Sequence, residues 1–112
     1  MEIISEIKFG NETVKKAYQK LDSKRFQEKQ LKQWLDRAFK DLEKNAFCGI
    51  QIPKRLMPKE YIVKFGRLDN IWKYNLPNAW RLIYTIKRGH VIVLSIILEW
   101  LNHSTYEKRF MY

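Results

Sequence analysis

In the opening stretch EIISEIKF, Ile3, Ile7 and Phe9 alternate with Glu6 and Lys8, the period of two that predicts a half-buried β-strand. Gly10-Asn11 ends it. From there Val14, Ala17, Tyr18 and Leu21 recur at helical spacing, with Asn11 positioned to cap the helix N-terminus. After a break at Asp22-Ser23, Leu31, Trp34, Leu35, Ala38, Phe39 and Leu42 fall at i, i+3, i+4, i+7, i+8 and i+11, the clearest helical pattern in the chain. Because the link between the two helices is so short, the pattern predicts an antiparallel hairpin whose apolar stripes cover one face of a sheet.

The second half alternates like strands. IWKYNL sets Trp72, Tyr74 and Leu76 on one face and Lys73 on the other, and Pro77-Asn78 supplies a turn. WRLIYTIK follows, with Trp80, Leu82, Tyr84 and Ile86 on one face and Arg81 on the opposite one. Arg88-Gly89 turns the chain into the uncharged run Val91 to Leu98, apolar on both sides as a central strand would be, with His90 in the loop. Between the halves lies IPKRLMPKEYIVKFGRLDN, where Pro58 opens and Gly66 closes a short helix, although YIVKF also has the composition of a strand. Residues 102 to 109 read as a helical turn or short helix. The fold class expected is α+β over a single domain, 1–112: an N-terminal strand, then an antiparallel helix hairpin packed on a mainly antiparallel sheet with a C-terminal three-stranded meander.

Composition narrows the picture. A chain of 112 residues with 46% hydrophobic content buries one core and not two. The single cysteine, Cys48, forms no internal disulfide, and MEIISEIKF lacks the zones of a secretory signal, which points to a reducing cytoplasm. Val91 to Leu98 is far shorter than the ~20 apolar residues of a membrane-spanning helix, so no membrane role is expected. Two histidines and one cysteine give no zinc spacing, and phosphate-loop and dinucleotide glycine patterns are absent, so neither metal nor cofactor is expected.

Charge adds functional content. The formal net charge is +10, and the excess sits in the middle: residues 51 to 90 carry Lys54, Arg55, Lys59, Lys64, Arg67, Lys73, Arg81, Lys87 and Arg88 against Glu60 and Asp69 alone. Such a surface attracts polyanions, whether nucleic acid, an anionic membrane surface or an acidic protein. The alternative is a solvated face that only keeps the protein soluble.

The element order, with LPNAWRLIYTI followed by LEWLNHSTYEKRF, resembles the RelE/ParE toxin superfamily of type II toxin–antitoxin systems. The likeness covers nearly the whole chain, and its sharpest parts are RLIYTI and the terminal His-x-x-Tyr-x-x-Arg-Phe. The resemblance implies a ribosome-dependent endoribonuclease that cleaves mRNA by attack of a ribose 2′-hydroxyl on the adjacent phosphate, without a metal. It also implies an acidic antitoxin as partner in a hetero-oligomer, besides ribosome and messenger. ParE-like members instead inhibit DNA gyrase without catalysis, and an inactive nucleic-acid-binding relative is a third class.

The implied chemistry needs a proton acceptor, positive charge for the phosphorane and a donor for the leaving oxygen. Arg81 matches the family's strand arginine and suits bidentate contact with a phosphoryl group. On a C-terminal helix His103 and Tyr106 fall at i, i+3, with Arg109 further along the same side; His103 can act as acid or base and Tyr106 can orient a base or donate a hydrogen bond. Lys54 and Arg55 correspond by region to the family's RNA-contacting basic residues, and Lys73, Lys108 and Arg109 complete the phosphate-binding set. Glu60 is the possible carboxylate base. Each has a plainer reading beside it: His103 as surface or capping residue, Tyr106 as a ring packed on the sheet, Arg109 against the last helical carbonyls, Arg81 as an exposed strand residue.

Overall fold

The computed structural model describes residues 3–89 and 92–110, so the loop reading of His90 and the start of the apolar run at Val91 lie outside the described residues. The chain is α+β, in the order β1 (Ser5–Phe9), α1 (Glu12–Lys20), α2 (Phe26–Lys44), β2 (Ile50–Gln51), α3 (Lys59–Phe65), β3 (Trp72–Asn75), β4 (Arg81–Arg88), β5 (Val93–Leu101) and α4 (His103–Phe110). The strands form one mixed sheet ordered β1-β5-β4-β3-β2. β3, β4 and β5 make the antiparallel meander, and β1 joins β5 in parallel.

Local chemistry accounts for the element ends. Asn11 Oδ1 accepts the Val14 amide at 2.9 Å and caps α1. Pro58 stands at the N-cap of α3, and Gly66 leaves that helix at φ 80°, a conformation costly for residues with a Cβ. YIVKF is therefore helical. The turn after β3 carries Asn78 and Ala79 at φ 56° and 61°, which brings Trp80 half-buried to the head of β4.

Alternation along the strands feeds two cores. On one side Leu82, Tyr84, Ile86 and Ile97 meet Val14 of α1 and Leu31, Leu35, Ala38, Phe39 and Leu42 of α2. α1 and α2 touch where the Tyr18 ring lies 5.5 Å from Phe39 and its hydroxyl bonds to Asp36. Ala17, in the stripe by spacing, stays exposed. On the other side Ile83, Leu98 and Leu101 meet Ile52, Tyr61 of α3, and Tyr106 and Phe110 of α4. Both faces of the central strand are thus covered, one by α1 and α2, the other by α3 and α4.

Two features were not expected. β2 adds a short edge strand, pairing Ile50 with Lys73. β5 runs on to Leu101, and its register against β4 shifts so that Ile83 faces Glu99 while Tyr84 faces Ile97. Leu98 is the extra residue of a β-bulge, and a bulge re-aims the side chain beside it. Here it sends both Leu98 and Glu99 toward the α3/α4 side.

Candidate functional site

Lys73 and Arg81 stand on neighbouring strands, β3 and β4, and both leave the aromatic face of the meander for the opposite side. There α4 supplies the surface they meet. The Arg81 guanidinium carbon is 5.5 Å, and Lys73 Nζ 5.2 Å, from the centre of the Tyr106 ring. Tyr106 is almost wholly buried in the second core, so its position is set by packing, and its π-cloud attracts both cations. Arg81 Nη1 donates to the Trp80 carbonyl at 3.2 Å, while Nε is enclosed with no hydrogen-bond partner. Two like charges drawn to one ring form a locus where an anion is favoured over any cation.

The α4 helix holds the remaining predicted residues but divides them. Asn102 Oδ1 accepts the Thr105 amide at 2.9 Å and begins the helix. His103, its first residue, is more than half exposed, and its Nε2 lies 2.8 Å from Glu107 Oε1. His103 therefore contacts Glu107, not the Lys73–Arg81–Tyr106 group. Lys108 is exposed and lines a shallow depression with Pro58, Lys59, Glu60, Thr105 and Arg109.

Arg109 departs furthest from the sequence reading. Its guanidinium forms a close ion pair with Glu60 and lies 3.5 Å from Glu99 Oε1. Only a fifth of the side chain is exposed. Glu60 is also 3.4 Å from Lys64 Nζ. Burial opposes ionisation of Glu60, but the hydrogen bond and charge of Arg109, then Lys64, outweigh it and hold the carboxyl below its ordinary range. A carboxylate so held is a poor proton acceptor and is already committed to two cations. In this arrangement Arg109 is held between two carboxylates, and both cations on Glu60 bear on the same oxygen, Oε2.

Lys54 and Arg55 sit exposed on a 3-10 turn, Lys54–Leu56, whose Leu56 anchors it to the second core. Cys48 lies just before β2; burial and then the Asp41 charge raise its thiol pKa, so it is no ready nucleophile. Among the described residues no cluster of His, Cys, Asp and Glu is suited to a metal ion, and no helix is long and apolar enough to cross a membrane.

Glu99 and Tyr61 carried no assignment from sequence, and the structure encloses polar atoms of both. Tyr61 is fully buried, and its hydroxyl faces the Glu99 carboxyl. Desolvation raises the Glu99 pKa, and the hydrogen bond with Tyr61 and the Arg109 charge only partly offset it. Desolvation, then the Glu99 charge, pushes the Tyr61 phenol well above its ordinary value. No alternation signal marks Glu99, because the bulge at Leu98 shows only in the pairing of β5 with β4. No family model, no curated protein and no solved structure matches the chain.

Proposed function

We propose that the protein is a ribosome-dependent endoribonuclease of the RelE type, the toxic member of a toxin–antitoxin pair. The observation that carries the reading is the convergence of Lys73 and Arg81 on the Tyr106 ring. In this reading the two cations take the nonbridging oxygens of the scissile phosphate. The ribose 2′-hydroxyl gives its proton to solvent as its oxygen bonds to phosphorus, the bond to the 5′-oxygen breaks as that oxygen takes a proton, and a 2′,3′-cyclic phosphate remains. His103 can take part in this proton transfer only by leaving Glu107, and messenger flanking the cut runs over Lys54, Arg55 and Lys108, which contact phosphates without reading sequence. An acidic partner segment that folds on binding would neutralise the +10 surface and shut the enzyme off.

The test is a purified translation system in which the messenger is examined for cuts and for cyclic-phosphate ends. Ribosome-dependent cuts with such ends support the reading; intact messenger at saturating protein overturns it.

A second reading is a non-catalytic inhibitor of DNA gyrase. It draws on the pairing of Glu60 with Arg109 and Lys64 and of His103 with Glu107, contacts that hold neither candidate base on the Arg81 group. Supercoiling inhibited at or below micromolar protein, with messenger uncut, would favour it.

A further inference from the structure

β1 forms one edge of the sheet, and among the described residues no strand lies on its outer side. The opposite edge, β2, is only two residues long. An open edge offers unpaired N–H and C=O groups as a template for another strand, and proteins blunt such edges with proline, bulges or charge. β1 has no proline and no bulge: Ser5 through Phe9 pair with Val93 through Ile97 without a shift of register. Ile4, just before it, is 78% exposed.

One bond fixes which backbone groups the edge presents. The Gly10 amide donates to the Ile97 carbonyl at 2.7 Å, so by alternation Glu6, Lys8 and Gly10 turn their backbone groups inward to β5, while Ser5, Ile7 and Phe9 turn theirs outward. The side chains alternate too. Ile7 and Phe9 pack against the α1/α2 core, and Glu6 and Lys8 stand exposed on the other face, neither in an ion pair with a described residue. The strand Ser5-Glu6-Ile7-Lys8-Phe9 is therefore complementary to itself about Ile7. When two copies run antiparallel with the axis at Ile7, Ser5, Ile7 and Phe9 of one meet Phe9, Ile7 and Ser5 of the other as hydrogen-bonded pairs. Glu6 then faces Lys8 in the pairs between, where side chains come closest. A slip of two residues either way sets Glu6 against Glu6 or Lys8 against Lys8, and a slip of one puts apolar and charged side chains on the same face. Beyond the charged pair Ile4 falls opposite Gly10, which has no side chain and lies against the Phe65 ring.

We propose that a second copy of this chain docks on β1 in that register, joining the two sheets into one about a two-fold axis at Ile7. The net charge of +10 on each copy opposes the approach, but the seam lies in the more balanced part of the chain, residues 1 to 50, with eleven Lys or Arg against eight Asp or Glu. A seam of five residues per copy is small beside a stable interface, so the dimer is weak and forms at high concentration. β5 and β4 separate the seam from β3, so the dimer leaves the Lys73–Arg81–Tyr106 group uncovered and does not depend on RNA cleavage.

The test is sedimentation velocity on the full chain, from micromolar to near-millimolar, at roughly 0.15 M salt, where charges more than about 8 Å apart are largely screened. The parent is expected to pass from monomer to dimer across that range. Glu6→Lys and Lys8→Glu should each weaken association at least tenfold, although the first raises the net charge and the second lowers it. The double variant Glu6→Lys/Lys8→Glu should restore the dimer, and so should mixing the two single variants, whose strands complement each other. Both positions are exposed, so melting temperatures should stay near that of the parent. A parent that stays monomeric throughout, as it would if this edge served a strand of some other protein, overturns the proposal. So does a dimer indifferent to the single variants, a Lys8→Glu protein that associates more tightly than the parent, or a mixture of the two single variants that fails to associate.

Discussion

The Arg109 guanidinium closes on the Glu60 carboxylate, fastening the last helix to the connector helix. The same arginine reaches Glu99 on β5, so one cation serves two carboxylates that differ in environment. Glu60 is partly solvated and held below its ordinary pKa, whereas burial drives Glu99 above it.

These opposite shifts give opposite responses to acid. A carboxyl with lowered folded pKa contributes stability above its unfolded value, ~4.3, and loses it as pH falls through the folded value; one with raised folded pKa stabilises the fold further as pH falls from its folded value toward ~4.3. Glu60→Gln should therefore destabilise at pH 7 by up to about 1 kcal/mol, discounted for the exposure of the pair, with the difference vanishing at acid pH. Glu99→Gln should be least harmful, or stabilising, at pH 7 and lose that advantage toward pH 5. Urea unfolding at stepped pH measures both; parallel curves for the two variants would contradict the assignment.

Arg81→Ala should lower single-turnover messenger cleavage by on the order of 10² or more, since a fixed donor aimed at a transition state contributes ~2.7–4 kcal/mol. Ribosome affinity should change much less. Lys73→Ala should act in the same direction, because both cations bear on Tyr106. Wild-type cleavage by Arg81→Ala would remove it from the chemistry.

Gly49 should tolerate no side chain. A Cβ there would stand 2.5 Å from the Lys73 carbonyl and 2.5 Å from the Tyr84 hydroxyl, which itself donates to the Ala46 carbonyl at 3.0 Å. Gly49→Ala is expected to cost ~1–3 kcal/mol by overpacking and, because it pushes on β3, to reduce cleavage as well. A melting temperature within 1 °C of the parent, about what a few tenths of a kcal/mol would produce in a chain of this size, would show that the loop relaxes freely.

Association with an acidic partner should slow markedly between 50 and 500 mM salt while the complex weakens only moderately, because charge steers the encounter and apolar anchors hold the product. Stopped-flow association and equilibrium titration at both salt levels separate the two. A chain that is harmless at high expression, with no acidic protein co-purifying from its native cells, would count against the toxin reading.

Much of this architecture was legible in the sequence because one rule governed each segment. The i, i+3, i+4 stripe of α2 has a single solution, and Pro58 and Gly66 bracket α3 for independent backbone reasons. That Lys73 and Arg81 both turn away from the aromatic face followed from alternation alone. β2 escaped because Ile50-Gln51 is too short to show a period. The site was only half legible, since helical spacing says which residues share a side but not which partner captures each. Arg109 follows Tyr106 by three positions, yet carboxylates on two other elements claim it, and His103 is taken up by Glu107 within its own helix. Glu99 was hidden by the bulge, a two-against-one pairing that no single-strand pattern reveals.

The parallel seam between β1 and β5 bears on how the protein is made. The Ser5 hydroxyl meets that of Ser95, 90 positions along the chain, and also donates to the Leu42 carbonyl at 2.8 Å. At about 5–20 residues per second, synthesis leaves β1 waiting on the order of 5 to 20 s for the strand it must join. Through that interval the apolar stripe of α2 has no finished sheet to cover, and the fold can close only once β5 reaches β1.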